Sequence, residues 1–293
     1  MTRSLLSVVV TTHNRPGALS NCLEALAQLE DPVEIVVVDS ASHPPCASIV
    51  AQFTARIPLL RYCYEDQPGL SRARNRGLKE TTCELVAFVD DDAAVAPDWA
   101  RRLMVPFADG EIACAGGTCR PRFEAARPRW LSERLLQFAG ITRIGLAARE
   151  ARSSAEYPFG ANICFRRAAI DMIGGFREDL GRSGGNLLSG EEAAMMDRLR
   201  ESGWRIWLQP DAIVDHTVTP DRCSSNYYWR RLWWQGITRA RDELTLRTGV
   251  RVIAAAPLRL VCWLGTRDRI FLYRLAETAG FVCEAAGLWR SPS

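Results

Sequence analysis

The stretch "VAFVDDDAAV" (Val86–Val95) runs from an apolar, strand-forming segment into three consecutive aspartates, Asp90, Asp91 and Asp92. Like charges a few ångströms apart raise one another's pKa, so the cluster is costly unless a cation offsets it. Carboxylate oxygens are the ligands that Mg²⁺ and Mn²⁺ prefer, and such ions bridge to substrate phosphates. The stretch predicts a buried strand that ends at a divalent metal site. The structural alternative is that the aspartates only end the strand.

Apolar runs of the same kind occur at intervals through the first ninety residues. Between the first two, leucines recur at helical spacing behind Pro16, which suits a first helical turn. A short helix is expected around Val50 and another over Ser71–Lys79. This alternation predicts βαβ units and a mostly parallel sheet, in which ligands bind beyond the carboxyl ends of the strands. The predicted strands are Ser7–Thr11, Glu34–Val38, Leu59–Tyr62 and Leu85–Val89.

The bulk composition is that of a globular protein. The 293 residues are 47% hydrophobic and 24% charged, which suits one large domain or one domain with an appendage. A formal charge of +3 without a long basic run gives no indication of nucleic-acid binding. The ten cysteines form no CxxC pair, so we expect reduced, mostly buried thiols in a cytoplasmic protein.

Membrane insertion is not expected from the apolar segments. The N-terminal "LLSVVV" is too short for a signal peptide and is predicted to be the first strand. Arginines such as Arg259 and Arg267 interrupt the apolar C-terminal third, and a spanning helix needs roughly 20 apolar residues. The sequence therefore predicts no membrane-spanning segment.

Five segments together indicate a family. They are "SVVVTTHNRP" (7–16), "EIVVVDSAS" (34–42), "QPGLSRARNRG" (67–77), "VAFVDDDAAVAPDW" (86–99) and "LLSGEEAAMMDRLRESGWRIW" (187–207). In order and rough spacing, residues 5–217 resemble the family 2 glycosyltransferases of the GT-A fold. The resemblance implies a GT-A catalytic domain over 1–220, with a nucleotide-binding half (1–95) and an acceptor half (96–220). A C-terminal helical region would follow at 221–293.

The resemblance implies residues that bind the sugar donor. Arg74 would face the nucleotide or its diphosphate, and Asn75 the sugar. The alternatives are that Asp39 is an ordinary turn residue and that the arginines of "SRARNR" form a solvated helix face. The residues expected to hold the nucleoside are Thr11, His13, Arg15 and Asp39.

The family's DxD metal motif falls on Asp90 and Asp92. The resemblance implies that Asp92 binds Mn²⁺ or Mg²⁺ directly and that Asp91 lies beside the ribose or the sugar. His216 occupies a position where some members supply a further ligand to the metal or the diphosphate. The alternative for His216 is a hydrogen-bonded structural role beside Asp215.

The catalytic base of similar enzymes is the second acid of a Glu-Asp pair, which here reads Glu191-Glu192. Glu192 is therefore the expected base, one methylene longer than the usual Asp, and Glu191 is a secondary candidate that contacts an acceptor hydroxyl. The dipole of the helix that begins here favours an ionised carboxylate, as a base requires. The alternative is a capping box formed by Ser189 and Glu192.

The implied function is inverting transfer of a sugar from a nucleoside-diphosphate sugar to an acceptor hydroxyl. A UDP-sugar is the first choice of donor and a dTDP- or GDP-sugar the next, and the acceptor is a glycan, a lipid-linked sugar or a small molecule. The competing hypotheses are a non-catalytic nucleotide-sugar-binding protein and a nucleotidyltransferase. The latter lacks support because no Gly-rich, Arg-containing loop follows the first strand.

The C-terminal segment "NYYWRRLWWQGITRARDEL" (226–244) mixes aromatic residues with arginine. A basic amphipathic helix of this kind either lies on a membrane surface or packs its aromatic side chains back on the protein. Peripheral contact with the inner face of the membrane and homodimerisation both stay open at this point.

Overall fold

The computed structural model describes residues 5–142, 144–153, 156–243 and 246–288, and across them nine strands form one mixed sheet. The strands are β1 (Leu6–Thr12), β2 (Glu34–Ser40), β3 (Leu60–Glu65), β4 (Leu85–Asp90), β5 (Ala93–Val95), β6 (Ile112–Phe123), β7 (Arg149–Glu150), β8 (Ile163–Arg166) and β9 (Arg205–Val218). The α-helices are α1 (Pro16–Leu26), α2 (Ala47–Ala51), α3 (Leu70–Glu80), α4 (Trp99–Met104), α5 (Glu133–Leu136), α6 (Arg167–Ile173), α7 (Glu191–Glu201), α8 (Ser225–Glu243), α9 (Leu246–Thr266) and α10 (Arg269–Ala285).

The first four strands are parallel and lie in the order β3-β2-β1-β4. All residues of β1 are buried, as expected for a strand with parallel neighbours on both sides. The four predicted strands are confirmed, with ends that differ by up to three residues. Thr12 of β1 pairs with Asp39, and Thr11 pairs with Asp90. The polar ends of these three strands therefore meet at one edge of the sheet, as predicted.

The remaining strands make the sheet mixed. β8 pairs antiparallel with β4 and β6, and β5 pairs antiparallel with β9. The predicted α/β class is confirmed; the first four strands pair in parallel, whereas β5, β7 and β8 pair antiparallel with their neighbours. Antiparallel strands need no continuous β-branched run, which is why they left a weaker pattern in the sequence. Across the β5–β9 ladder Ala93 faces His216, which brings that histidine beside Asp92.

Helix α3 is held close to the sheet by a glycine. A Cβ added at Gly77 would lie 2.3 Å from a methyl carbon of Val9, closer than real side-chain contacts. Only glycine therefore lets α3 lie this near to β1. The helix matches the predicted span Ser71–Lys79 to within a residue at each end, and it carries Arg74 on its buried face.

The chain divides into two compact units. Unit 1 comprises the described residues of 1–121, 142–178 and 191–217, and unit 2 those of 122–141, 179–190 and 218–293. Three long helices, α8, α9 and α10, belong to unit 2, in agreement with a helical C-terminal region. Unit 2 also takes in two segments that the sequence placed in the acceptor half. The division into nucleotide and acceptor halves stays a prediction.

In unit 2, helix α8 packs against α10 through two glycines. A Cβ at Gly236 would lie 2.0 Å from the carbonyl oxygen of Glu277, and one at Gly280 would lie 2.2 Å from that of Trp233. Tyr228 and Leu232 of α8 are fully buried. Of the two alternatives for the aromatic segment 226–244, the structure thus favours packing back on the protein.

Helix α9 is a candidate span by composition, while the prediction that no segment spans a membrane stays a prediction. Its segment Thr248–Thr266 has a mean hydropathy of 1.3 and is long and apolar enough to cross a membrane by length and composition alone, although soluble core helices pass the same test. Only 11% of that window is buried. The expectation that arginines exclude every candidate span was wrong for this segment.

Candidate active site

All twelve residues that the sequence singled out for the site lie in unit 1. Asp91 is the most deeply buried member of the aspartate triplet, at 0% exposure. One of its oxygens accepts a hydrogen bond from the hydroxyl of Thr12 at 2.7 Å, and the other pairs with the Arg15 guanidinium at 2.6 Å. Burial, opposed by Arg15 and reinforced by the charge of Asp92, raises the pKa of Asp91 to about 7. The predicted contact of Asp91 with ribose or sugar stays a prediction.

Asp92 lies between a cation and a histidine. Its Oδ2 is 2.8 Å from Nη1 of Arg15, and its Oδ1 is 3.2 Å from Nε2 of His216. Arg15 was predicted to contact the nucleoside, whereas its recorded contacts are with Asp91 and Asp92. Its charge offsets part of the repulsion in the triplet. Because Arg15 and Asp92 are 77 residues apart, no local pattern indicates this pairing.

The arrangement fits a divalent cation. Asp90, Asp92 and His216 each present one ligand atom, and these atoms all lie within 4.8 Å of one another. Ligands on opposite sides of an ion with bonds of roughly 2.1 Å are about 4.2 Å apart, so the three atoms need at most a small side-chain shift to share one ion. Two carboxylate oxygens and one imidazole nitrogen suit Mn²⁺, and Mg²⁺ with added waters.

A second cluster forms around Arg74, which is 1% exposed. Its Nη1 is 2.9 Å from Oε1 of Glu191 and 3.0 Å from Oε1 of Glu192, and its Nη2 is 3.4 Å from Oδ1 of Asp90. Asp90 thus belongs both to this cluster and to the candidate metal site. The expected contact of Arg74 with the diphosphate stays a prediction.

Gly160 is a site residue that the sequence reasoning missed. Its backbone N–H donates to Oε1 of Glu192 at 3.2 Å. A Cβ at this position would lie 2.0 Å from Nη2 of Arg74 and 2.3 Å from Oε1 of Glu192. A side chain at this position would displace the two charged groups from these positions. Nothing in the local sequence distinguishes this glycine from those of ordinary turns.

The two glutamates differ in their protonation. Burial and the adjacent charge of Glu192 raise the pKa of Glu191 to about 8. Burial acts in the same direction on Glu192, but Arg74 and the hydrogen bonds that Glu192 accepts outweigh it and lower its pKa. At neutral pH Glu192 is therefore ionised and Glu191 protonated. A pair of carboxyl groups with pKa values pushed apart can divide two roles between them.

The raised pKa of Glu191 makes stability depend on pH. The fold favours the protonated form, so the stabilisation is complete below the ordinary pKa of 4.5 and is lost as the pH rises towards about 8. The side chain of Glu191→Gln cannot ionise. We therefore expect the difference in melting temperature, variant minus native, to increase between pH 5 and pH 9. Glu201→Gln, at an exposed position of the same helix, is the control. If the melting temperatures of Glu191→Gln and the native chain changed with pH in the same way, the raised pKa of Glu191 would be contradicted.

Arg74 is expected to be essential for folding stability. Arg74→Met leaves three carboxyl groups without their cation, and breaking a buried ion pair in this way costs about 3–5 kcal/mol. Arg72, on the same helix, pairs with Glu178 at the surface, where a pair is worth about 0–1 kcal/mol. Urea unfolding of Arg74→Met and of Arg72→Met measures both values. A similar loss of unfolding free energy in the two variants would show that Arg74 contributes no more to stability than a surface arginine.

Asn75, the predicted sugar contact, holds a loop in the structure. Its Nδ2 donates to the carbonyl oxygen of Phe176 at 2.9 Å, and its Oδ1 accepts from the N–H of Phe176 at 2.8 Å. The turn at residues 174–176 is thereby fastened to α3, and the ring of Phe176 lies 5.5 Å from the Arg74 guanidinium. Contact of Asn75 with a sugar stays a prediction.

The predicted nucleoside-binding residues lie at the ends of β1 and β2. Asp39 is fully buried, and its carboxylate accepts from the N–H groups of Ser42 and Cys46 and from the hydroxyl of Tyr62. Thr11 is buried beside Asp90, and exposed His13 contacts the carbonyl oxygen of Ser40. These contacts of Asp39 agree with the alternative that it is an ordinary turn residue at the end of β2. Nucleoside binding by all three stays a prediction.

The contacts of Ser189 do not support the capping-box alternative. The N–H of Ser189 donates to the hydroxyl of Thr238, and its own hydroxyl contacts Arg231 and Gln235. The carboxylate of Glu192 accepts from Arg74 and Gly160 instead. Glu192 is thus held as part of the charged cluster.

Comparisons with known proteins show the family of this chain. A family model described as "Glycosyl transferase family 2" matches residues 7–174. The chain is 28% identical over 244 residues to the glucosyl-dolichyl phosphate glucuronosyltransferase of Haloferax volcanii, covering 82% of this chain and 77% of that protein. It is 27% identical over 242 residues to the succinoglycan biosynthesis protein ExoM of Rhizobium meliloti, covering 80% and 74%.

Solved structures share the fold. The mannosyltransferase PcManGT from Pyrobaculum calidifontis, in complex with GDP-Man and Mn²⁺, aligns with a TM-score of 0.68 at 19% identity, covering 100% of this chain and 89% of that one. TarS 1–349 of S. aureus in complex with UDP-GlcNAc aligns with a TM-score of 0.55 at 16% identity, covering 97% and 91%. At these identities the likeness concerns the fold alone.

Proposed function

The chain belongs to glycosyl transferase family 2, and from that premise we propose an inverting, metal-assisted transfer of a sugar from a nucleoside-diphosphate sugar to an acceptor hydroxyl. That the protein is a glycosyltransferase follows from the family; the inversion, the metal and the base are our proposal. The observation that carries it is the position of Asp90, which is shared by the candidate metal site and the Arg74 cluster. Groups suited to a leaving diphosphate and to an attacking hydroxyl thereby lie side by side.

Asp90, Asp92 and His216 would hold the cation. When bound, a divalent ion supplies positive charge that stabilises the negative charge developing on a departing diphosphate. Mn²⁺ is our first choice and Mg²⁺ the second, because one ligand is an imidazole and the structurally similar PcManGT binds Mn²⁺.

Glu192 is the proposed general base. As an ionised carboxylate it would take the proton of the acceptor hydroxyl while the oxygen forms its bond to the anomeric carbon and the bond to the diphosphate breaks. Attack from the side opposite the leaving group inverts the anomeric centre. The side chain of Glu192 is 15% exposed and that of Glu191 only 3%, so an acceptor can reach Glu192 more readily. Arg74 and Gly160 hold Oε1 in place during the transfer.

For the donor we propose a UDP-sugar first and a dTDP- or GDP-sugar next. Structural neighbours that bind UDP-GlcNAc and GDP-Man support nucleotide sugars as a class without deciding between the bases. The name of the Haloferax relative supports a lipid-linked sugar as the acceptor class. Such a reaction would take place in the cytoplasm, where nucleotide sugars are available.

A panel of UDP-, dTDP- and GDP-sugars with Mn²⁺ tests the proposal. We expect one nucleotide class to raise the melting temperature and to release free nucleoside diphosphate slowly in a metal-dependent manner. A thermal shift without release of diphosphate, in the presence of lipid-linked and soluble acceptors, would favour the non-catalytic binding protein. The absence of a shift with every nucleotide sugar would contradict the function.

A further inference from the structure

Helix α9 presents an apolar stripe to solvent. Its members recur every three or four residues and therefore lie on one side of the helix. Val250 is 59% exposed, Ile253 54%, Val261 62% and Leu264 53%, and Pro257 lies on the same stripe. Leu258 and Leu260, exposed by 64% and 44%, widen it. An apolar surface of this extent on one helix marks an interaction site.

The opposite side of α9 is attached to unit 2. Val252 is 3% exposed and belongs to a small core with Ala240 and Phe281. Arg259 is 9% exposed; its Nη1 donates to the carbonyl oxygen of Arg274 at 2.6 Å, and its Nη2 is 3.6 Å from Glu277. Arg259 is the only charged residue between positions 252 and 266. Because it turns inward, no charge interrupts the exposed stripe.

The rim of the stripe is basic. Arg251, Arg267 and Arg269 are exposed at its two ends, and the guanidinium of Arg267 lies 5.4 Å from the ring of Trp263. The one acidic residue between positions 246 and 276 is Asp268, whose carboxylate accepts from the N–H of Ile270 at the start of α10. The exposed surface around α9 is therefore apolar in the middle and positively charged at the ends.

We propose that α9 lies flat on an anionic lipid bilayer, with the stripe at the boundary of the acyl chains and the arginines among the phosphate headgroups. This pattern is that of an interfacial amphipathic helix. A second copy of the chain would bring the two basic rims together, and like charges oppose that contact. A membrane-spanning orientation would break the contacts that Val252 and Arg259 make along the helix. The proposal does not depend on the sugar-transfer chemistry.

Flotation of the 293-residue chain with vesicles tests the proposal. We expect binding to vesicles containing 30% phosphatidylglycerol, at least tenfold weaker binding to pure phosphatidylcholine, and release by 0.5 M salt. The variant Ile253→Ser/Val261→Ser/Leu264→Ser should bind at least tenfold more weakly. Arg251→Gln/Arg267→Gln should lose about 30-fold, since each basic residue at an anionic surface contributes about fivefold. Leu146→Ser, which removes a side chain that is 99% exposed elsewhere, is the matched control and should bind normally.

Three outcomes would overturn the proposal. Equal vesicle binding by the triple variant and the Leu146→Ser control would show that the stripe does not contact the membrane. Resistance to extraction at pH 11 would show a spanning helix. A dimer that dissociates in the triple variant, without vesicle binding by the native chain, would show that a second copy covers the stripe. Circular dichroism and diphosphate release by the triple variant are expected to match the native protein, which separates this proposal from the catalytic one.

Discussion

Glu192→Gln is expected to lower kcat by about 10²–10⁴-fold, the usual contribution of a general base, while the affinity for the nucleotide sugar changes little. The amide keeps the shape of the side chain and its contact with the N–H of Gly160, but it cannot accept the proton of the acceptor hydroxyl. Release of nucleoside diphosphate measures kcat, and thermal shift with the donor measures binding.

Glu191→Gln is the matched control for this prediction. At neutral pH Glu191 is protonated, so an amide resembles its native state and turnover should fall by only a few fold. Burial still raises the pKa of Glu191 in Glu192→Gln, but the added effect of the Glu192 charge is gone, so a larger fraction of Glu191 ionises beside Arg74 and sustains residual turnover. The double variant Glu191→Gln/Glu192→Gln should lose the residual turnover that Glu192→Gln retains. A larger loss in Glu191→Gln than in Glu192→Gln would reverse the two roles.

Asp92→Asn is expected to abolish metal-stimulated turnover, with a loss of about 10³-fold or more, because the variant removes both a ligand charge and the stabilisation of the leaving diphosphate. Chelation of the native enzyme by EDTA should have the same effect, and added Mn²⁺ should reverse it. Titration with Mn²⁺, followed by electron paramagnetic resonance, measures binding independently of activity.

Asp98→Asn provides the matched control for the metal site. Asp98 follows in the same segment but pairs with Arg102 at the surface, and its variant should keep full activity and Mn²⁺ affinity. His216→Gln should weaken Mn²⁺ binding less than Asp92→Asn, since it removes a neutral ligand. Native turnover and native Mn²⁺ affinity in Asp92→Asn would remove the metal assignment.

The sequence predicted the parts of this protein that depend on short-range patterns. Short apolar runs marked β1 to β4, Pro16 marked the start of α1, and helical spacing marked α3. The positions of the carboxylates at strand and helix ends followed from the same patterns. Strand pairing in the antiparallel part could not be predicted in this way, because its segments carry no continuous apolar run and their partners are distant in the chain.

Only the tertiary structure decided how the charged groups are used. Arg15 pairs with Asp92 across 77 residues and Arg74 with Glu192 across 118, so neither pairing leaves a local signal. These contacts, together with burial, determine which glutamate is ionised. In the same way, Arg259 appears in the sequence as a break in an apolar segment, and the fold turns it towards Glu277 and leaves the stripe of α9 continuous. Periodicity is a property of neighbouring residues, whereas burial and electrostatic interaction depend on side chains that only folding brings together.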